Sequence, residues 1–137
     1  LVERSEGWAF TGDLFVNERT RLLRRVEDVW AIIDSLRRMA DVGPRILFCS
    51  QSGPIHDATS ALWRKIENLQ RLEGEARALR GEGVPDRAIA RRLLGREGLL
   101  TLISGGEFSK LRLIEALLDE GRPRTGPVGL DRPTPMA

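Results

Sequence analysis

The sequence contains few of the residues that bind metals or form cross-links. Its 137 residues include one cysteine, Cys49, and one histidine, His56. A single cysteine excludes an internal disulfide and fits a reducing compartment, so we expect a cytoplasmic protein. A Ser-His-Asp set, a phosphate loop and a dinucleotide glycine fingerprint are also missing. The common catalytic and nucleotide-binding motifs are therefore excluded.

Long apolar runs and a strong charge imbalance are absent as well. No run approaches the roughly 18 apolar residues of a membrane span, and Glu3, Arg4 and Glu6 exclude a signal peptide in the first segment. The 22 basic and 20 acidic residues give a formal charge of +2. We therefore expect neither a membrane nor a nucleic-acid partner. Because the chain begins at Leu1 rather than Met, we expect a processed or partial product.

Three segments have the pattern of strands. Residues 1–16 predict a hairpin around a polar turn at 4–7, followed by a loop. Residues 45–49, Arg-Ile-Leu-Phe-Cys, predict a short buried strand that leads into a loop at 50–54. Two or three short strands do not bury both faces of a sheet, so the chain is expected to need more sheet than it visibly supplies.

Apolar residues at helical spacing follow these strands. One stripe predicts a long amphipathic helix from about residue 18 to 40, ended by Gly43-Pro44, and another predicts a helix over 58–80 with Asp57 as its N-cap. A third helix is predicted from Pro85 to residue 94. A fourth is predicted to begin at the capping box 104–107, Ser-Gly-Gly-Glu, and to run to residue 118. Residues 121–137, rich in Pro and Gly, predict a disordered tail.

Three stretches occur in an order that resembles a known family. They are Trp-Ala-Phe-Thr-Gly-Asp-Leu-Phe at 8–15, Leu-Phe-Cys-Ser-Gln-Ser-Gly-Pro at 47–54, and Gly-Gly-Glu-Phe-Ser at 105–109. Together they resemble the second half of a metallo-β-lactamase-fold hydrolase. The resemblance implies a helix-rich α/β fold, a partial αββα sandwich. It further implies three parts: half of the sandwich over 1–83, a helical cap over 84–120 and the tail over 121–137.

The resemblance also implies a metal site. In the family a hydrophobic strand ends in a Gly-Asp pair whose carboxylate bridges two metal ions, and Asp13 matches this position. The last metal-binding histidine of the family falls on Gln51, or on Ser52 after a one-residue shift, and neither is a good zinc ligand. His56 lies nearby in the sequence. Asp13 is therefore the predicted metal ligand, and Gln51, Ser52 and His56 are candidates for residues that line the site.

The function implied is metal-dependent hydrolysis of a small-molecule ester, thioester or lactone by the full-length parent protein. The implied cofactor is zinc, or iron or manganese. The family's His-x-His-x-Asp-His motif is missing from these 137 residues. One Asp and one His do not make a catalytic zinc site with three protein ligands. We therefore expect this chain to be inactive by itself, and its own metal binding stays open at the level of sequence.

Two other functions stay open at the level of sequence. The chain is alternatively a non-catalytic helical interaction module, in which Trp8, Trp30 and Trp63 line a surface for a second copy or a missing N-terminal half. Residues 83–95 also resemble the first helix of a helix-turn-helix, with Arg87, Arg91 and Arg92 able to contact phosphates. The apolar segment at 99–103 makes a poor recognition helix, which argues against DNA binding.

Overall fold

Four short strands form the main sheet, and five helices account for most of the rest. The computed structural model describes residues 1–15, 18–21, 23–24, 27–51, 53–106 and 108–120. The strands are β1 (Val2–Glu3), β2 (Trp8–Gly12), β3 (Leu23–Arg24), β4 (Ile46–Cys49), β5 (Gly53–Ile55) and β6 (Phe108–Ser109). The helices are α1 (Val29–Val42), α2 (Ala58–Gly81), α3 (Asp86–Leu94), α4 (Leu99–Ile103) and α5 (Lys110–Leu118). The fold is thus mixed α/β, as the sequence predicts.

The main sheet has the strand order β1-β2-β4-β5. β1 and β2 form the predicted antiparallel hairpin, and β4 confirms the strand predicted at 45–49. β2 and β4 are parallel, with α1 between them in the chain. The prediction of a loop at 50–54 is partly wrong, because β5 pairs antiparallel with β4. Pro54 is compatible with this strand since β5 lies at the sheet edge, where an amide hydrogen is not needed.

The first helix begins later than the sequence predicts. The predicted start near residue 18 is wrong, because α1 starts at Val29 and the described residues before it include β3. Strand β3 pairs with β6, from the other end of the chain. The Asp28 carboxylate caps α1 and accepts hydrogen bonds from the amides of Trp30 at 3.0 Å and Ala31 at 3.2 Å. A distant pairing partner therefore overrides a helical pattern here.

The end of α1 and the start of α2 lie where the sequence predicts them. Gly43 ends α1 with φ of 71°, a left-handed conformation that glycine adopts without strain. Asp57 directly precedes α2. Its carboxylate accepts no capping hydrogen bond and lies 3.6 Å from a guanidinium nitrogen of Arg64. The position of Asp57 is therefore confirmed, although the predicted capping bond is not formed.

The last predicted helix begins later in the structure than the sequence predicts, and a short separate helix precedes it. α3 confirms the helix predicted after Pro85. The predicted start at 104–107 is wrong, because α5 begins at Lys110 and its N-cap is Ser109, whose hydroxyl accepts from the amide of Leu111 at 3.1 Å. Residues 99–103 form a separate helix, and Glu107 lies outside the described residues. Local capping by Ser109 thus replaces the predicted capping box.

Two hydrophobic clusters share α5. The larger cluster joins Ala9 and Leu47 of the sheet to residues of α1 and α2, including Leu36 and Leu62. It also contains Leu113 and Leu117 of α5, whereas the smaller cluster is made of Ala76, Ile89, Ala90, Ile114 and Leu118. α5 therefore contributes side chains to the cluster that contains the sheet and to the cluster that contains α3. The predicted boundary at residue 83 stays a prediction, and the tail predicted at 121–137 lies outside the described residues.

Candidate functional site

The ends of β2 and β4 bring two predicted features together. Because the two strands are parallel, their carboxyl ends lie at the same edge of the sheet. Gly12 at the end of β2 lies opposite Cys49 at the end of β4, so Asp13 and Ser50 are the next residues on each side. A register shift between Phe10 and Gly12 marks a bulge at this point. We call Gly12, Asp13, Ser50 and Gln51 the strand-end site.

A hydroxyl group orients the Asp13 carboxylate. The Ser50 hydroxyl donates to Oδ1 of Asp13 at 2.8 Å and lies 3.3 Å from the carbonyl oxygen of Gly12. The amide of Ser50 donates to the same carbonyl at 3.4 Å. Within the described ranges, no basic side chain forms an ion pair with Asp13, and the residue is exposed. Asp13 therefore presents an oriented carboxylate to solvent, and none of the described basic side chains neutralises it.

The other predicted site residues differ in their relation to Asp13. Gln51 follows Ser50 in the turn after β4 and is exposed, so it belongs to the same edge. Ser52 lies outside the described residues. His56 is exposed and follows Ile55, which lies opposite Leu47 near the start of β4. The antiparallel direction of β5 thus places His56 toward the opposite end of β4 from Asp13.

The residues of the strand-end site do not make a complete metal site. In the described part of the chain, no group of three or more His, Cys, Asp or Glu side chains is placed to hold a metal ion. Asp13 offers one carboxylate and Gln51 a neutral amide, whereas zinc sites use imidazole nitrogen, thiolate and carboxylate ligands. The residues present therefore fit one ligand of a metal site and not the whole set.

Ser50 was not among the residues singled out from the sequence. The signal that identifies it is structural: two parallel strands end in Gly-Asp and Cys-Ser, which places the residues after them side by side. Hydrogen-bond partners that orient a ligand carboxylate are common around metal sites. To find Ser50 from the sequence, one must know that the two strands pair, and the two segments do not reveal this pairing by themselves.

A second chemically unusual residue lies inside the core. Lys65 on α2 is only 6% exposed, and its Nζ lies 5.2 Å from the centre of the Phe15 ring. Burial lowers the pKa of Lys65 to about 8, and the charge of Glu27 opposes this shift. The described residues of the strand-end site are exposed, whereas Lys65 is buried. Its pKa therefore affects stability rather than the candidate site.

The segment that resembles a helix-turn-helix forms α3 and α4. Arg87, Arg91 and Arg92 are exposed on α3. The next helix, α4, has only five residues and exposes Leu99, Leu102 and Ile103. An aliphatic surface of this kind does not pair with base edges, which are read by hydrogen-bonding side chains. The geometry thus supplies basic residues without a polar recognition helix after them.

Comparisons with protein-family models, curated proteins and solved structures found no match to this chain. Within the described ranges, none of the helices has the length and apolar character needed to cross a lipid bilayer. The case for a function therefore rests on the strand-end site, on the surfaces around it and on the sequence resemblance.

Proposed function

We propose that this chain is the C-terminal half of a metallo-β-lactamase-fold hydrolase, whose complete form hydrolyses an ester, thioester or lactone with the help of zinc, iron or manganese. The observation that carries the proposal is the 2.8 Å contact between Ser50 and Asp13. The resemblance assigns metal ligands to the Gly-Asp pair and to the loop after the following strand. The two segments follow parallel, paired strands and lie at one edge of one sheet, which supports the proposal.

In this proposal Asp13 contributes one ligand and Ser50 orients it. The proposal requires further ligands, because the described residues hold no set of three, and the resemblance implies a His-x-His-x-Asp-His segment upstream as their source. Gln51 occupies the position where the family has its last histidine, and its neutral amide favours a site with one strongly bound metal instead of two. We assign no chemical step to this chain alone.

The aromatic side chains on the second face of the main sheet support the proposal of a sandwich. Trp8, Phe10 and Phe48 lie on the face opposite Ala9 and Leu47, because side chains alternate along a strand. The Phe10 and Phe48 rings stack at 5.0 Å, and Trp8 meets Phe48 edge-on at 5.8 Å. Trp8 and Phe10 are 37% and 40% exposed. We call these three residues the aromatic face, and an αββα sandwich would cover it with its second sheet.

The proposal predicts that the reading frame encodes a longer polypeptide with a His-x-His-x-Asp-His motif upstream of residue 1, and the test uses that polypeptide. Elemental analysis of that purified protein is expected to find zinc, iron or manganese. Asp13→Ala is expected to weaken metal affinity by about tenfold or more, because a ligand is lost. Asp57→Ala is the matched control, since Asp57 is an exposed carboxylate beside α2 and its loss should leave the metal content unchanged.

Gln51→His sharpens the same experiment. If Gln51 stands at the position of a second-metal ligand, the histidine variant should bind more metal per chain than the wild-type protein. A reading frame that encodes no His-x-His-x-Asp-His motif upstream would contradict the proposal. So would a metal content that Asp13→Ala and Asp57→Ala change to the same extent.

A second candidate function has its own supporting observation. The aromatic face favours a non-catalytic interaction module in which a second copy of this chain covers Trp8 and Phe10. In contrast, Trp30 is only partly exposed, and its indole nitrogen donates to the carbonyl of Ala116 at 3.1 Å, which joins α1 to α5. Trp63 packs against the main core. An assembly of the longer protein that binds no metal would favour this second function.

A further inference from the structure

A cavity of about 470 Å³ lies beside α3, outside the strand-end site. Its lining includes Arg87 and Arg91 of α3, Arg96 of the following loop, Thr101 of α4 and Ser109 at the start of α5. Small-molecule sites commonly have volumes of roughly 300 to 1,000 Å³. The cavity therefore has room for a small ligand, and its lining indicates which chemistry would bind there.

Three arginines line this cavity. Arg87 and Arg91 are four residues apart on α3, so they lie on one side of the helix, and Arg96 joins them from the loop. Like charges at this helical spacing repel each other. Among the described residues, none of the three forms an ion pair or a side-chain hydrogen bond. An anion in the cavity would relieve this repulsion.

Other arginines of the chain have close carboxylate partners. Arg64 lies 2.8 Å from Glu18, Arg77 lies 2.7 Å from Glu73, and Arg80 lies 2.8 Å from Asp86. Ion pairing is therefore frequent for arginines on these helices. Arg87, Arg91 and Arg96 have no such partner among the described residues, and they line one cavity.

The one acidic residue in the cavity lining is already engaged. Glu97 accepts hydrogen bonds from the hydroxyls of Ser109 at 2.7 Å and Thr101 at 2.8 Å, and from the amide of Leu111 at 3.0 Å. Although burial opposes ionisation, these bonds and the amide of Lys110 lower the pKa of Glu97. Its charge is thus directed to the start of α5 and offsets only one of the three guanidinium charges.

The loop that carries Arg96 is held in place. The Lys110 ammonium donates to the carbonyl of Arg96 at 2.6 Å. It also lies close to Gly95, where an added Cβ would be 3.8 Å from Nζ. Gly95 ends α3 with φ of 83°, which favours glycine. Arg87 and Arg91 are therefore held by helix α3 and Arg96 by a fixed turn, and a preorganised set of donors loses less entropy on binding.

We propose that this cavity binds the phosphate group of a small phosphomonoester, with Arg87, Arg91 and Arg96 as its donors. Guanidinium groups match phosphate oxygens through paired hydrogen bonds, and three cations against one carboxylate suit a dianion. The alternative occupant is a nucleic-acid backbone. It is disfavoured because the exposed neighbours on α4 are the aliphatic residues Leu99, Leu102 and Ile103, which do not stack with bases as aromatic rings do.

The test is calorimetric titration of this chain with inorganic phosphate and with glycerol 3-phosphate at constant ionic strength. We expect saturable binding of one ligand per chain, and Arg91→Gln should weaken it by about tenfold because a charged hydrogen-bond donor is lost. Arg92→Gln is the matched control on the same helix, since Arg92 does not line the cavity, and its affinity should stay within about twofold of wild type. All these side chains are exposed, so thermal unfolding should be unchanged.

A labelled single-stranded oligonucleotide distinguishes the two sources of phosphate. The proposal predicts that it binds less tightly than glycerol 3-phosphate. Tighter binding of the oligonucleotide, weakened to the same extent by Arg91→Gln and Arg92→Gln, would overturn the proposal in favour of a nucleic-acid surface. Absence of saturable binding of phosphate and glycerol 3-phosphate at millimolar concentrations would overturn it as well. None of these outcomes depends on a metal site at Asp13.

Discussion

The two faces of the main sheet differ in how they are covered. Ala9 and Leu47 are 0% exposed because α1 and α2 pack on their side, whereas Trp8 and Phe10 on the other side are 37% and 40% exposed. The aromatic rings nevertheless form an ordered stack with Phe48. Large aromatic side chains grouped on an open face are typical of surfaces that another layer covers. Among the described residues, one face of the sheet is therefore covered by helices and the aromatic face is partly open, as the proposed sandwich requires.

The largest expected loss of stability distinguishes the two faces of the sheet, which can be compared by substitutions at neighbouring positions of β4. Leu47→Ala should lower the free energy of unfolding by about 3 kcal/mol, because it leaves a cavity in the helix-covered core. Phe48→Ala removes a larger side chain but faces the open side, so its cost should be about 1 kcal/mol. Urea unfolding of both variants measures the difference. Equal costs would mean that the two faces are buried alike.

Lys65 is the exception on the covered side, since it places a cation in the core. Its folded pKa of about 8 lies below the ordinary value of 10.5. Between these two values the unfolded chain binds more protons than the folded chain, so stability rises with pH. The cost of burying the charge is therefore fully present below about pH 8 and is relieved toward pH 10.5.

Lys65→Met tests this pH dependence. The variant should be more stable than wild type at pH 7 by roughly 2 kcal/mol, because it removes the buried charge. The advantage should shrink as the pH rises to about 10. Urea unfolding at several pH values measures it, and the chain is favourable for this because it has no tyrosine and only one other lysine, Lys110. An advantage independent of pH would contradict the lowered pKa.

A smaller loss of stability is expected from a substitution at the start of α1, on the covered side of the sheet. Asp28→Ala should cost about 1 kcal/mol, because the carboxylate satisfies two amides of the first turn. Asp34→Ala is the matched control on the same helix, where a weak pair with Arg37 at 3.8 Å should make the change smaller than about 0.5 kcal/mol. Circular dichroism during urea unfolding measures both. Equally small losses of stability for the two variants would mean that Asp28 does not cap α1.

The smallest expected effect is at the strand-end site. Asp13 and Ser50 are exposed, so Asp13→Ala should change the free energy of unfolding by less than about 0.5 kcal/mol. This result would separate a role in binding from a role in folding. A loss as large as that of Leu47→Ala would mean that the Asp13 carboxylate holds the sheet edge together, and the metal-ligand assignment would lose its support.

The elements predicted correctly are those with local signals. Gly43 ends α1 and Pro85 precedes α3, and both follow from backbone conformations that these residues favour. The hairpin and β4 follow from apolar runs between polar turns. Such signals act within a few residues, so the sequence alone was sufficient to locate these elements.

The elements predicted wrongly depend on distant partners. The segment before α1 continues a helical stripe, yet Leu23 pairs with Ser109 in the short sheet of β3 and β6. That pairing also moves the start of α5 to Lys110. Likewise, Gly53 to Ile55 has loop composition and becomes a strand because β4 offers an open edge. No local pattern contains this information.

In the candidate site too, closeness in the sequence is an incomplete guide to closeness in the structure. Asp13 was predicted as a metal ligand from its Gly-Asp context, and this role stays a prediction. Gln51 lies on the same sheet edge as Asp13. His56 lies close to Gln51 in the sequence but toward the other end of β4, because β5 reverses the chain direction. Three separate segments line the arginine cavity beside α3. The sequence could not predict this cavity, because it forms only when α5 packs against α3.

The most direct test of the central comparison is the molar mass of this chain in solution, measured by light scattering across a range of concentrations. If the aromatic face is built to be covered, the wild-type chain should associate, and its mass should exceed that of one chain as concentration rises. The double variant Phe10→Ser/Phe48→Ser should remain a monomer with unchanged secondary structure. A wild-type chain that stays a monodisperse monomer at every concentration would contradict the account.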